Sequence, residues 1–287
     1  HRAAVVLVHF GDPSITWRCV ESLLTHEGIR FPIIIVDHGP RRPLGESKPP
    51  ACEKATITII DSVNQGFARG CNLAAETAFD QGVGWVWFLN NDATIESDVL
   101  TRLMELAEAY PQVGLWGTHQ RMQSRILGMD ALPRWFDPPT GAAGALEKLP
   151  LGCHQLHAHE TLSGASILIS LQTWRQLGPW PDWCFLYYED VAWCLKAHGL
   201  GIPLVLTPLE INHAPNTSTG RRSALTTYYG VRNRLLLHAD HWPRRKGLRL
   251  LQSLYLLQKR FFQGRWNMLG PTFRGIVDAS RGKRFMR

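Results

Sequence analysis

Short apolar runs alternate with amphipathic stretches along the first 110 residues. Each run is rich in β-branched residues and ends in polar residues or glycine, which indicates strands buried on both faces. These strands are predicted over residues 3–9, 31–37, 55–60 and 84–89. Amphipathic helices are predicted over residues 14–25, 68–80 and 97–110. Ser14 is the expected cap of the first helix and Gly28 its end. The alternation predicts an α/β fold with a doubly wound, mostly parallel central sheet flanked by helices.

The second half of the chain is less regular. Residues 119–158 are rich in Pro, Gly and His, and we expect loops and a short hairpin there. A helical period follows Asp190, and residues 204–213 read as a strand. Residues 247–262 predict a helix that is apolar over most of its surface, with basic residues toward its ends.

Charge divides the chain into two parts. Residues 221–287 contain 16 Lys and Arg against two acids, whereas residues 1–220 contain 15 against 22. A basic tail beside an acidic body indicates an anionic partner, either nucleic acid or acidic lipid. Trp and Phe among the charges favour lipid, and we find no nucleic-acid-binding signature, so no nucleic-acid partner is expected. No apolar run reaches about 18 residues and no signal-peptide pattern opens the chain, so we expect a cytoplasmic protein, peripheral at the inner face of the plasma membrane.

The six cysteines stand at wide spacings without a C-x-x-C pair. This pattern argues against a thiolate zinc site or a disulfide scaffold. Cys153 lies close in sequence to His154, His157 and His159, a combination that either binds a metal or forms an ordinary polar loop.

Polar residues at the predicted strand ends are the first candidates for chemistry, because ligands of such sheets bind beyond the carboxyl ends of the strands. They are His9, Phe10, Asp37, His38, Asn64 and the segment Asn90-Asn91-Asp92. The Asp92 carboxylate can hold a hard divalent cation against a diphosphate. The same three residues are also ordinary turn chemistry.

Two later features add a base and a second ligand. Glu189 and Asp190 follow two tyrosines, and apolar neighbours raise a carboxylate pKa toward the range of a general base. Acids also favour the first turn of any helix. His213 ends the predicted 204–213 strand and can ligate a metal, although a lone His more often does not. The Thr, Ser and Gly rich loop at 216–220 is expected to be mobile and to close over phosphates.

Several sequence motifs occur in one order along the chain. They are VVLVHF with CVESLL, IIIVDHG, VNQGFARGCNLA, WVWFLNNDATIESDVLTRL, SGAS at 163–166, FLYYEDVAWCLKAHG, the strand that ends at His213, and YYGVRNRLLL at 228–237. Together they resemble glycosyltransferase family 2, in the branch of rhamnosyltransferase-like and galactofuranosyltransferase-like enzymes that build bacterial surface polysaccharides. The similarity covers nearly the whole chain.

The resemblance implies a GT-A type fold and a particular division of the chain. Residues 1–220 would be the catalytic domain, with a nucleotide-binding half at about 1–118 and an acceptor half at about 119–220. Residues 221–287 would be a basic, helical C-terminal extension packed on it. The implied reaction is an inverting, metal-dependent transfer of rhamnose or another hexose from a UDP- or dTDP-sugar. The acceptor would be a saccharide or lipid-linked saccharide, as in O-antigen or lipopolysaccharide synthesis, and the cation Mn²⁺ or Mg²⁺.

Residue roles follow from the same resemblance. Asp190 would be the general base, with Glu189 beside it, and Asp92 and His213 would hold the cation. Residues implied to contact the nucleotide sugar are Val8, His9, Phe10, Asp37, Asn64, Arg69, Asn91, Asp92 and Arg232. Gly164, Ala165 and Tyr188 would lie on the acceptor side. The chain departs from the family pattern at His38, where Asn is usual, and at Asn90, which replaces the first acid of the commoner D-x-D. Modest, donor-linked metal affinity is therefore expected.

Two other functions remain open from the sequence. One is a catalytically inactive carbohydrate-binding homologue, against which the joint presence of Asp92, Asp190 and His213 argues. The other is a sugar nucleotidyltransferase on a similar sheet. Such enzymes hold a triphosphate with a Gly-rich, basic first loop, and residues 9–14 contain neither Lys nor Arg.

Overall fold

The computed structural model describes residues 3–39, 44–122, 125–127, 129–131, 149–158, 160–213, 223–244 and 246–284. Four parallel strands form one side of its main sheet, in the order β3-β2-β1-β4. They are β1 (Ala3–His9), β2 (Ile33–Asp37), β3 (Ile57–Asp61) and β4 (Trp85–Leu89). Alternate residues of β1 enter two separate hydrophobic cores, one on each face of the sheet. This double burial explains why the strand is apolar throughout.

Helices cover both faces of these strands. They are α1 (Pro13–Glu27), α2 (Phe67–Asp80) and α3 (Val99–Ala109). The first helix begins one residue earlier than predicted, since Asp12 is its cap and accepts from Ser14 N–H, with Pro13 at the first helical position. Gly28 ends the helix with φ 69°, as predicted.

The other side of the sheet mixes strand directions. It is formed by β11 (Ser166–Ser170), β6 (Leu115–Met122), β12 (Leu204–His213) and β5 (Ala93–Thr94), in that order after β4. Strand β11 is antiparallel to both β4 and β6, whereas β12 is parallel to β6. Because β11 is antiparallel to both of its neighbours, β6 runs in the same direction as β4, and β12 therefore runs parallel to β4 as well. The carboxyl ends of β1, β2, β4 and β12 therefore meet at one edge of the sheet.

Short elements complete this half. They are β7 (Arg125–Leu127), β8 (Met129–Ala131), β9 (His154–Gln155), β10 (Glu160–Leu162), α4 (Leu171–Leu177) and α5 (Glu189–Gly199). Strand β7 pairs with β6 and β9 with β12, while β8 and β10 form a separate two-stranded sheet.

Three helices lie in the described residues that follow His213. They are α6 (Ala224–His241), α7 (Lys246–Phe262) and α8 (Leu269–Ser280). Tyr228 on α6 donates to Asp278 on α8 over 2.7 Å, which ties these two helices together. Within the described residues, no helix is long and apolar enough to cross a membrane.

The predicted α/β fold class with a mostly parallel sheet is confirmed. The strands that run antiparallel to their neighbours include β11, between β4 and β6, and β5, beside β12. The five residues of β11 directly precede α4, and Ser170 caps that helix. A five-residue strand joined to a helix without a loop lacks the glycine or proline boundary from which strands are predicted.

Candidate functional site

A cavity of about 320 Å³ opens at the sheet edge where the carboxyl ends of β1, β4 and β12 meet. One wall contains Asn90, Asn91, Asp92 and His213. The wall contributed by the start of α5 contains Glu189 and Asp190. Residues that the sequence places more than 90 positions apart thus face one space.

Strand pairing brings His213 to Asp92. The short strand β5 begins directly after Asp92, and Ala93 pairs with His213 across the antiparallel β5–β12 contact. The Nε2 atom of His213 lies 3.1 Å from Asp92 Oδ1 and 3.2 Å from the amide nitrogen of Asn90. Both Asp92 and His213 are largely buried, with 7% and 11% of their side-chain surface exposed.

The hydrogen bonds of His213 suit a cation ligand. Gln120 Oε1 accepts from Nδ1 over 2.9 Å, so Nε2 is the ring nitrogen that faces Asp92 Oδ1. A separation of 3.1 Å between these two atoms is favourable with a proton or a cation between them. Adjacent ligands of a cation with bonds of about 2.1 Å lie about 3 Å apart. The Asp92 and His213 pair therefore fits a divalent metal, and Gln120 orients it.

Asp190 is fixed by backbone donors on the opposite wall. Gly164 N–H donates to Asp190 Oδ2 over 2.9 Å, and Val191 N–H donates to Oδ1 over 2.8 Å. A Cβ atom at position 164 would lie 3.2 Å from that of Asp190 and 3.3 Å from the Trp180 ring. Glycine at this position therefore allows the backbone to reach the carboxylate.

Glu189 differs from its neighbour in its surroundings. Burial, and then the adjacent Asp190, raise the pKa of Glu189 to about 8. The two neighbouring carboxyl groups both line the cavity, but Glu189 is the one whose burial disfavours the charged form.

The loop before α5 has a strained backbone. Phe185, Tyr187 and Tyr188 have φ of 60°, 67° and 70°, and they are the non-glycine residues with positive φ within the described chain. Such a conformation costs about 1–3 kcal/mol per residue and persists where its surroundings impose it. Gly66 is part of those surroundings, because a Cβ there would lie 2.4 Å from the carbonyl oxygen of Phe185.

Helix α6 holds this strained loop. The Asn233 amide group donates to the carbonyl oxygens of Cys184, Leu186 and Tyr187 over 2.7, 3.0 and 2.8 Å. Arg232 donates to the carbonyl oxygen of Trp183 over 2.7 Å. Both side chains are completely buried. These contacts fix the loop from which Asp190 begins its helix.

Many of the sequence candidates line the cavity. Besides the acids and His213, its walls include Val8, Phe10, Asn64, Asn91, Gly164 and Ala165. Asn91 is held in place because its amide group donates to Thr16 Oγ1 over 2.8 Å.

Two candidates near the nucleotide side are engaged elsewhere. His9 is fully buried and bonds Thr16 through Nδ1, and burial lowers its pKa below the usual value. Both oxygens of Asp37 accept backbone N–H groups, from Gly39 and from Leu44, each over 2.7 Å. Neither residue lines the cavity.

Three more candidates do not line the cavity in this structure. Arg69 is exposed and pairs with Asp182 over 2.9 Å. Arg232 is buried against the loop, and this corrects the expectation that it meets the donor phosphate. Tyr188 packs into a small apolar cluster with Val191 and Trp183, whereas its neighbour Tyr187 faces the cavity.

The cluster predicted around Cys153 is present in altered form. His154, His157 and Glu160 place one ligand atom each within 4.8 Å of one another. Glu160 accepts from His157 N–H over 2.8 Å and contacts His154 Nε2 at 3.1 Å. His159 and the loop at 216–220 lie outside the described residues.

Sequence reasoning missed some of the lining. Ser163, Phe67, Phe185, Leu186, Tyr187 and Leu225 also face the cavity. All but Leu225 lie within the motifs that carry the family resemblance, but most are apolar and so gave no chemical reason to single them out. Leu225 comes from α6, far away in sequence. The contact between Gln120 and His213 was also missed. Gln120 lies in β6, the strand beside His213, and the sequence did not predict this strand.

Comparisons with known proteins were made on this basis. Residues 4–143 match the family model described as Glycosyl transferase family 2. A curated relative is the low-salt glycan biosynthesis hexosyltransferase Agl10 of Haloferax volcanii. It is 26% identical over 247 residues, which span 81% of this chain and 78% of the relative.

Solved structures share the fold. S. aureus TarS 1–349 superposes with a TM-score of 0.56 at 13% identity, over 99% of this chain and 88% of that one. The chain spans 44% of a longer TarS structure. The mannosyltransferase PcManGT from Pyrobaculum calidifontis, in complex with GDP-Man and Mn²⁺, gives a TM-score of 0.55 at 12% identity, over 97% and 87% of the two chains.

Identities this low establish the fold and nothing further. The family match covers residues 4–143, and the curated relative extends the similarity over 81% of the chain. The chain has a GT-A fold and matches glycosyltransferase family 2 over residues 4–143.

Proposed function

We propose that the chain is an inverting, metal-dependent hexosyltransferase that uses a nucleotide diphosphate sugar. The sugar, rhamnose or another hexose, would pass to a saccharide or lipid-linked saccharide acceptor in the synthesis of a surface glycan. The observation that carries this proposal is the lining of one cavity. Asp92 and His213, the residues proposed to hold the cation, lie on one wall, and the carboxylate of Asp190, fixed by a backbone N–H group, lies on another.

The proposed step is a single displacement at the anomeric carbon. Asp190 accepts the proton of the acceptor hydroxyl while that oxygen forms a bond to the anomeric carbon. The bond between this carbon and the diphosphate breaks, and its electron pair leaves with the diphosphate oxygen. A divalent cation held by Asp92 and His213 would supply charge neutralisation for the diphosphate. Asn91 and Asn64 add polar groups to the same cavity.

Inversion is proposed because the site offers one anchored carboxylate as the base. Asp190 lines the cavity, and both of its oxygens accept backbone N–H groups. A retaining double displacement needs two suitably spaced carboxyl groups around the anomeric carbon, one of them as nucleophile. We assign Asp190 as the single base, so that one displacement inverts the anomeric centre.

The comparisons support the donor class. One neighbour binds GDP-Man with Mn²⁺ and another binds UDP-GlcNAc, and the curated relative is described as a hexosyltransferase. For this chain we propose a UDP- or dTDP-sugar with Mn²⁺ or Mg²⁺, and GDP belongs among the nucleotides to be tested. If the protein binds a nucleotide sugar but never turns it over, the inactive carbohydrate-binding homologue becomes the better account.

A membrane surface is proposed for helix α7, which turns its apolar side outward. Its buried residues include Gln252 and Ser253. Its strongly exposed residues are Leu250, Leu251, Leu254, Tyr255, Phe261 and Phe262. At 100° per residue these six share the face opposite the buried pair. The surrounding extension is strongly basic, which favours an anionic lipid surface at the inner face of the plasma membrane.

We expect Mn²⁺-dependent stabilisation by a nucleoside diphosphate, and its loss in Asp92→Asn. A nucleotide at 100 times its Kd stabilises a protein by about 2.7 kcal/mol. The check is thermal unfolding with UDP, dTDP or GDP, with and without Mn²⁺. Asp61→Asn is the matched control, because Asp61 is exposed at the end of β3 and does not line the cavity. An Mn²⁺-dependent shift that persists in Asp92→Asn would overturn the metal assignment.

Asp190→Asn is expected to slow turnover by about 10²–10⁴-fold, since the variant keeps the hydrogen-bonded shape but cannot take a proton. Turnover is measured as nucleoside diphosphate released from the donor that stabilises the protein best, and nucleotide binding should stay unchanged. Asp98→Asn serves as the control, because this half-exposed acid directly precedes α3, pairs with Arg102 and does not line the cavity. Wild-type turnover in Asp190→Asn would remove Asp190 as the base.

The protein is expected to sediment with phosphatidylglycerol vesicles but not with phosphatidylcholine vesicles or DNA. Added salt should weaken the binding, because screening acts on the basic extension. The double variant Leu250→Asp/Leu254→Asp should bind at least about tenfold less, whereas Leu200→Asp, an exposed leucine after α5, should not. If the double variant instead dissociates a wild-type dimer and leaves vesicle binding intact, the apolar face is a contact between copies.

A further inference from the structure

A second cavity lies beside the proposed active site. Its volume is about 460 Å³, and Tyr187 lines both this cavity and the one that contains Asp190. The other walls come from the first turn of α6 and from the segment that joins α7 to α8. The strained 185–188 loop therefore separates two neighbouring spaces, and Asp190 begins its helix from that loop.

The chemistry of this cavity suits a phosphate ester. Arg260 and Arg265 line it together with Thr226, Thr227 and Asn267. None of its described lining residues is acidic. Two guanidinium groups with nearby hydroxyl donors are the usual means of binding phosphate oxygens. Helix α6 is 18 residues long and begins at Ala224. The partial positive charge at its N-terminus favours an anion beside its first turn.

Backbone geometry places the two arginines side by side. Helix α7 ends at Phe262, and Gly264 adopts a φ of 64°. Arg265 N–H then donates to the carbonyl oxygen of Arg260 over 3.0 Å. This is a helix-ending turn of the Schellman type, in which the left-handed glycine reverses the chain. The turn returns Arg265 to the last turn of α7 and so gathers two positive charges at one point.

Apolar surface adjoins the arginines. Phe262 is 76% exposed and Trp266 60% exposed, and each is a near neighbour in sequence of Arg260 or Arg265. Trp266 packs edge-on against Phe261 with ring centroids 4.5 Å apart, so this surface has a fixed shape. A ligand bound by the arginines would therefore meet lipid-compatible surface on one side and Tyr187 on the other.

We propose that this cavity binds the diphosphate of a lipid-linked acceptor. The lipid would lie along the exposed face of α7, the diphosphate would contact Arg260 and Arg265, and the saccharide would pass Tyr187 to reach Asp190. The inference rests on the proposed transferase function and names where that enzyme holds its acceptor. It also gives the C-terminal extension a role in substrate binding.

The test uses calorimetry on the whole chain with its donor cavity saturated by the best-stabilising nucleoside diphosphate and Mn²⁺. The probes are inorganic pyrophosphate, geranylgeranyl diphosphate in detergent micelles, and geranylgeraniol in the same micelles. Geranylgeranyl diphosphate should bind at least about tenfold more tightly than either other probe, because both its phosphates and its chain have contacts. Equal binding of pyrophosphate would rule out the lipid part of the proposal.

Variants then locate the site. Arg260→Gln/Arg265→Gln should weaken geranylgeranyl diphosphate binding at least about tenfold, whereas Arg274→Gln, an exposed arginine on α8, should bind as the wild type does. If the double variant fails to fold, Arg265→Gln alone decides, since Arg265 lies in the connection outside the helices. Unchanged affinity in the arginine variants would overturn the proposal.

Nucleotide binding separates this proposal from the one on which it rests. The arginine variants should keep Mn²⁺-dependent nucleotide binding, because Asp92 and His213, the proposed cation ligands, line the other cavity. Displacement of the lipid probe by the nucleotide would show that the arginines belong to the donor site and would overturn the acceptor assignment. If the wild-type protein binds no nucleotide, the transferase function itself is rejected.

Discussion

The hydrogen bonds from Asn233 and Arg232 to the 183–188 loop are the constraint on which the site depends. Three residues of this loop adopt left-handed backbone conformations that their side chains disfavour. Asn233 satisfies three of the loop's carbonyl oxygens, and Arg232 satisfies a fourth. Neutral hydrogen bonds such as those of Asn233 contribute about 0.5–1.5 kcal/mol each, and those of a charged group such as Arg232 about 1.5–3 kcal/mol, which together are comparable with the strain. Helix α6 thus fixes the point at which α5 and Asp190 begin.

The sheet supplies the opposite wall by a different mechanism. Asp92 and His213 are held by strand pairing, through Ala93 and the β5–β12 contact. Gln120, on the neighbouring strand β6, accepts from His213 and orients its ring. Paired strands therefore hold Asp92 and His213, and a strained loop anchored by α6 directly precedes Asp190. The C-terminal extension takes part in forming the site, because α6 provides both the anchor and Leu225 in the cavity lining.

Sequence patterns predicted the parts of this fold that depend on local periodicity. The four N-terminal strands were predictable because each is a short apolar run ended by polar residues or glycine, and Asp92, Asp190 and His213 were candidates because they lie where predicted strands end or a helix begins. Positions set by long-range contacts were not predictable. Asp37 looks like a base-binding residue in sequence, yet its two oxygens hold Gly39 and Leu44. Arg232 looks like a phosphate ligand, yet its partners lie almost 50 residues away in the chain.

The proposed stereochemistry depends on Asp190 acting alone as the base. Two backbone N–H groups fix the carboxylate of Asp190 in the cavity wall, and burial raises the pKa of its neighbour Glu189. With Asp190 as the single base, transfer is one displacement, and we propose that it inverts the anomeric centre. The most direct measurement is proton NMR of the first-formed product, in which the coupling constant of the new anomeric proton is compared with that of the donor. Our account predicts the opposite anomeric configuration, and a product that retains the donor configuration would contradict it.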